Sequence, residues 1–219
     1  MNRLLPPYLL NGPALVLFVT MLAVPLIMTF MLSFNSFEFY GGIKSDFGWH
    51  NYYEVVSDNY FHKIFARTYA IAIVVTLFCA IIGVPEAYIL YRMGSTWRSL
   101  CLLAILGPLL ISVIVRTLGW ALLIGSKGVI NEALIGIGLI ETPIKMMFTT
   151  TSIVVALVHV LVPFMVLSVW TTLQKLDPLV ERAALSLGAS QFTVLRKVVL
   201  PQVMPGVLAG SLIVFALTA

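Results

Sequence analysis

The sequence predicts an all-α integral membrane protein with about five transmembrane helices and one long loop of two short helices. Three observations carry that expectation. Of 219 residues, 60% are hydrophobic and only 10% are charged, against roughly 25% charged in soluble domains. Mean hydropathy is +1.04, and a water-soluble fold of this size could not bury so much apolar surface. Charge also alternates in sign balance between the apolar runs. The net charge of +4 is small, and no basic cluster is interleaved with aromatics, which argues against nucleic-acid binding. Cys79 and Cys101 lie inside apolar runs and read as small hydrophobes, not as a disulfide or metal site.

A bilayer-crossing helix needs about 20 apolar residues. The first candidate runs from Ala14 to Ser33, with Pro13 placed to start it and Pro25 inside it. It is too long for a signal peptide, and no small-x-small site closes it. The second runs from about Thr68 to Tyr91, interrupted at Pro85-Glu86. The third runs from about Ser99 to Ile124, with Gly107-Pro108 mid-way and Arg116 near its end. The fourth runs from about Thr149 to Leu173 and holds His159 and Pro163. The fifth begins near Pro205 and is still apolar at Ala219.

The segments preceding the first, third and fifth spans hold seven basic and two acidic residues. The two intervening segments hold five basic and six acidic residues. The positive-inside rule then puts the amino terminus, the Arg92–Arg98 turn and the loop at 174–204 in the cytoplasm. The first outer segment carries Phe34, Phe37, Phe39, Tyr40, Phe47, Trp49, Tyr52, Tyr53, Tyr60 and Phe61. It reads as an interfacial aromatic belt, with a platform for a partner protein as the alternative.

The loop at 174–204 is far longer than a turn between adjacent helices requires. Asp177 can cap a first helix with Pro178 at its first position, and Gly188 sits where a left-handed stop belongs. Ser190 can cap a second helix ending near Leu200-Pro201. Leu176, Val180, Ala183 or Ala184, and Leu187 form one apolar stripe, with Glu181, Arg182 and Ser186 on other faces. Such a helix pair reads as a docking knob for a soluble partner. The alternative is an amphipathic helix on lipid, against which stand its mixed charges and few aromatics.

Glu181-Arg182-Ala183-Ala184-Leu185-Ser186-Leu187-Gly188, followed by Leu200-Pro201 and Pro205-Gly206-Val207-Leu208-Ala209-Gly210, resembles the EAA loop of ABC importer permeases. Gly83-Val84-Pro85-Glu86-Ala87-Tyr88, Ile114-Val115-Arg116-Thr117-Leu118-Gly119-Trp120, Gly128-Val129-Ile130-Asn131 and Leu161-Val162-Pro163-Phe164-Met165-Val166-Leu167 are similar to the spermidine/putrescine-type branch of that family. The resemblance covers essentially the whole chain.

It implies a single permease-type transmembrane domain over 1–219, with residues 174–204 as the EAA-type coupling loop. It also implies a bacterial-type plasma (inner) membrane and transport of a small hydrophilic solute. The implied partners are a second permease subunit, cytoplasmic ATP-binding subunits that hold the ATP, and an extracytoplasmic solute-binding protein. No cofactor and no metal is implied for the chain itself. Contact with the ATPase would fall on Glu181, Arg182, Ala183, Ala184 and Gly188, with Leu200 and Pro201 completing the pattern. Aligned on Gly188, the family's glutamate falls on Arg182, and an acid stands one place earlier at Glu181. The chain stops at Ala219, 15 residues into the span counted from Pro205, so an incomplete last helix is expected.

Glu86, Arg116 and His159 are the ionisable residues inside the expected spans, and such groups are often functional. Each has two readings. Glu86 faces the translocation path, or it snorkels, since it stands only about 9 Å from Arg92 along a helix. Arg116 pairs with a carboxylate across a subunit interface, or reaches headgroups. His159 belongs to the path, or packs with a hydrogen bond. No P-loop, His-Glu-x-x-His or Gly-x-Ser-x-Gly motif occurs, so no catalytic residue is expected. The rival functions are an ion-coupled secondary carrier using Glu86 and His159, and a truncated or assembly subunit that does not transport.

Overall fold

The computed structural model describes residues 7–38 and 42–219. Arg3 and the aromatics Phe39 and Tyr40 lie outside the described residues. The chain divides into two compact units, Met1–Phe65 and Ala66–Ala219.

In the first unit, α1 spans Pro7–Leu32. Pro13 lies inside this helix and does not start it. A two-stranded antiparallel hairpin follows, β1 (Asn35–Glu38) and β2 (Gly42–Phe47), with Asn35 opposite Phe47 and Phe37 opposite Ile43. The short α2 spans His50–Ser57. Part of the expected aromatic belt forms a ring cluster around Phe34 here. Phe34 is buried, stacks on Phe47 with centroids 4.7 Å apart and meets Trp49 edge-on at 5.1 Å. Asn51 fastens the hairpin by donating from Nδ2 to the carbonyls of Ser33 and Asn35, each at 2.9 Å. The aromatic side chains are held together because each buries area against the next ring.

The second unit is an α-helical bundle. It takes in most of α3 (Asn59–Arg92), then α4 (Ser95–Leu110), α5 (Val113–Ile124), α6 (Val129–Gly136) and α7 (Thr150–Leu173). The chain ends in α8 (Pro178–Ser186), α9 (Gln191–Val194), a π-helical turn over Leu195–Val199, and α10 (Leu200–Thr218). Among the described residues, five helical stretches are long and apolar enough to cross a membrane: Gly12–Leu32, Asn59–Arg92, Val113–Gly136, Thr150–Leu173 and Gln191–Thr218. The fold is thus the expected all-α membrane architecture.

Three boundaries differ from expectation. Helix α3 runs unbroken through Pro85. The expected third span is two helices, because Ile111 and Ser112 are extended. Gly107 and Pro108 weaken the last turn of α4, and the chain leaves the helix three residues later. The expected second loop helix does not end at Leu200-Pro201: it continues through the π turn into α10, giving one 28-residue stretch. Pro201 is tolerated because it stands at the second position of α10, and the π turn alters the hydrogen-bond register before it.

The core is centred on α7. Leu161, Met165, Val166, Val169 and Leu173 pack with Val75, Cys79, Ala87 and Leu90 of α3 and Val203 and Val214 of α10. Between helices in lipid, close packing rather than water exclusion holds the pair, so small residues matter at the contact. A Cβ on Gly210 would lie 2.8 Å from Met165 Sδ, and one on Gly83 would lie 2.8 Å from Met165 Cγ. The serine of α7 at 168 donates to the Gly206 carbonyl at 2.8 Å. Within α6, Asn131 is fully buried. Its Nδ2 donates to the carbonyls of Gly125 (3.0 Å) and Ile144 (3.1 Å), and its Oδ1 accepts from the Ile144 N–H (2.9 Å). These bonds satisfy the irregular backbone between α5 and α7.

Candidate functional site: a proline-walled cavity and the α8 knob

Glu86 and His159 come together. Both line a cavity of about 470 Å³ whose walls are otherwise Ile82, Ala104, Ile105, Pro108, Val155, Val158, Val162 and Pro163. Oε2 of Glu86 is buried and has no hydrogen-bond partner among the described residues. The His159 side chain makes no hydrogen bond among them either. Its ring stands edge-on to Trp120 at 5.6 Å. The prolines add a further polar resource. A proline has no N–H to give to the carbonyl four residues back. For Pro108 that carbonyl belongs to Ala104 and for Pro163 to His159, and both of those residues also line the cavity. An acid thus shares one mostly apolar wall with two residues whose backbone carbonyls lack their usual helical donor. The sequence placed Pro108 and Pro163 inside the expected spans but did not connect them to this wall. The four-residue offset from each proline was the signal that could have done so.

Arg116 is elsewhere. Its Nη2 approaches the carbonyl of Ile111 at 3.4 Å, at the break between α4 and α5. Leaving the helix deprives such carbonyls of partners, and the guanidinium covers one of them.

The residues of the 174–204 loop divide into two sets. Asp177 Oδ1 accepts from the Leu179 N–H at 2.9 Å and caps α8. Gly188 stops the helix with φ +84°. In that left-handed conformation the Gly188 N–H reaches the Leu185 carbonyl at 3.0 Å, and the Ala189 N–H reaches that of Ala184 at 3.2 Å. Ser190 caps α9 through the Thr193 N–H. Arg182, Ala183 and Gly188 are exposed, as are Leu179, Val180 and Leu187, the last at 88%. Ala184 is half-buried against the bundle core. Glu181 is only 7% exposed, with Oε2 2.9 Å from Nη1 of Arg92 at the end of α3. Glu181 therefore faces the bundle while Arg182 and Ala183 face away from it. Of the expected apolar stripe, Leu176 and Ala184 pack inward, whereas Val180 and Leu187 do not. Leu200 and Pro201 are exposed at the start of α10, and Leu200 lines a groove with Val84, Pro85, Tyr88, Phe192 and Arg196. The turn between α3 and α4 is fixed by Arg98, which donates to the carbonyls of Leu90 (3.1 Å) and Met93 (2.5 Å) and so satisfies the end of α3.

No family model matches the chain. Individual relatives do. It is 33% identical over 200 residues to the spermidine/putrescine transport system permease protein PotB of Escherichia coli K12, covering 91% of this chain and 71% of that protein. It is 30% identical over 171 residues to the sulfate transport system permease protein CysT of Salmonella typhimurium, covering 78% of this chain and 60% of that one. A bacterial ABC transporter that imports the acidic polysaccharide alginate has the same fold, at a TM-score of 0.77 and 16% identity over 94% of this chain and 71% of its own. Sequence relatives and fold agree with the helices described above: the chain belongs to the family of ABC importer permeases, the membrane subunits that transport without themselves hydrolysing ATP.

Proposed function

We propose that the chain is a permease subunit of a binding-protein-dependent, ATP-driven importer of a small cationic solute of the polyamine class. It would act with a second permease subunit, two cytoplasmic ATP-binding subunits and an extracytoplasmic solute-binding protein. The amino terminus, the Arg92–Arg98 turn and the 174–204 loop face the cytoplasm of the inner membrane, by the charge bias of the segments. The observation that carries the solute class is the buried Oε2 of Glu86, without a partner in a cavity also lined by Ala104 and His159. A buried acid calls for a counter-charge or a donor. An ammonium group supplies both, and a neighbouring carbonyl can accept its remaining protons. The PotB relatives, named for spermidine and putrescine, support the same class.

The 174–204 loop is the coupling element in this reading. Arg182, Ala183, Leu187 and Gly188 present a small exposed knob on α8, and α8 leads through α9 into α10. Closure of the ATP-binding subunits would move α8 and so switch the cavity between the two faces of the membrane. The test is uptake of labelled spermidine into proteoliposomes containing the assembled complex and its binding protein, with ATP supplied and no ion gradient. ATP-dependent uptake is expected. Uptake that follows an imposed gradient and ignores ATP would overturn the reading in favour of an ion-coupled carrier.

A further inference from the structure

Arg92 closes α3, and Glu181 lies mid-way along α8, 89 residues further on. Their side chains meet at 2.9 Å, and the guanidinium also lies over the ring of Tyr88, one turn earlier on α3, 5.6 Å from its centroid. Burial is asymmetric: the glutamate side chain is 9% exposed and the arginine 50%. The acid thus depends on the pair far more than the base does, because a buried acid without a partner is costly. Oε1 of Glu181 is buried without a partner among the described residues, so Arg92 is its one hydrogen-bond donor there. The apolar contribution of α8 to the bundle is small, since Leu179, Val180, Leu185 and Leu187 are exposed and Ala184 is half-buried. The loop itself is joined by contact to α9 and the π turn, and so to α10. Among the described residues, the ion pair is its polar link to α3.

We infer that Glu181 is a positioning residue that fastens α8 to α3 through Arg92, so that a displacement of α8 reaches Glu86, six residues before Arg92 on the same helix. The coupling loop then moves two elements of the bundle together, α10 by chain continuity and α3 by charge. A pair of this kind is directional, whereas an apolar contact is not. The inference rests on the permease reading above.

The experiment measures spermidine taken up per ATP hydrolysed by the reconstituted complex. The variants are Glu181→Gln, Arg92→Gln and the exchange of both charges, Arg92→Glu with Glu181→Arg. Each single variant is expected to lower the ratio at least tenfold, and the exchange to recover it to within about threefold of the parent, as a direct charge pair would allow. Arg92→Gln, at a half-exposed position, serves if Glu181→Gln fails to assemble. Single variants with the parental ratio, or an exchange no better than the singles, would overturn the proposal. A parent complex that hydrolyses ATP without moving spermidine would instead overturn the underlying polyamine reading.

Discussion

Ser168 of α7 donates its hydroxyl to the carbonyl of Gly206 on α10 at 2.8 Å. The two backbones can come this close only because residue 206 has no side chain: a Cβ there would lie 2.9 Å from the Ser168 carbonyl oxygen. The α7–α10 seam therefore depends on both the hydroxyl and the missing methyl. Replacing Gly206 with valine should destabilise the bundle by about 1–3 kcal/mol through overpacking. Ser168→Ala should cost about 1 kcal/mol, the worth of one hydrogen bond. Thermal unfolding of the purified protein in detergent gives the order, and equal melting temperatures for Gly206→Val and the parent would refute it.

Glu86 offers a cleaner functional substitution. Glutamine keeps the shape and hydrogen-bonding capacity but removes the charge. Glu86→Gln is expected to raise the KM for spermidine at least tenfold while binding protein and ATP-binding subunits still assemble. Glu86→Asp, which shortens the side chain and keeps the acid, should lie between the two. An unaltered KM in Glu86→Gln would remove the acid from the solute site.

At Gly188 the conformation and the available space give different expectations. Nothing stands within 4 Å of a Cβ built there, so alanine would not clash within the chain. Its φ of +84° is the left-handed region, which costs an L-residue about 1–2 kcal/mol. Gly188→Ala should slow spermidine uptake by loosening the end of α8, and Gly188→Asn, which tolerates that conformation better, should slow it less. Uptake rates at saturating spermidine decide, and the reverse order would show that side-chain bulk against a partner matters more than backbone conformation.

Asn131 makes three hydrogen bonds from a fully buried site. Asn131→Ala would strand the N–H of Ile144 and is expected to cost about 1–3 kcal/mol for the unsatisfied group. The check is the melting temperature, together with protease cleavage between α6 and α7. A fully resistant variant with the parental melting temperature would show that the staple is dispensable.

Helices were readable in the sequence wherever an uninterrupted apolar run set their length. The fourth span was expected at Thr149–Leu173, and α7 occupies Thr150–Leu173. Capping chemistry located α8 and the start of α9 equally well, since Asp177, Gly188 and Ser190 act through neighbours a few residues away. What escaped was long-range. Glu181 lies off the apolar stripe in the sequence pattern, yet its side chain is buried, because Arg92 waits at the end of a helix far away in the chain. Leu187 belongs to the stripe by spacing but lies past the last residue of α8, where the helical periodicity no longer applies. Gly206 and Gly210 were noted as part of a resemblance. Their four-residue spacing, a known signature of close helix approach, also carried their structural role. The cavity likewise required α3, α4 and α7 to be placed together before Glu86 and His159 could share it.

The unbroken run from Gln191 to Thr218 has 28 residues, about 42 Å at 1.5 Å each. A hydrocarbon layer measures roughly 30 Å. Aligned with the membrane normal, this rod keeps about two turns clear of the oily layer, like a mast above a waterline. Water-borne thiol reagents should label cysteines introduced near Phe192 and miss those near Leu212, and the changeover would fall within a single helical stretch.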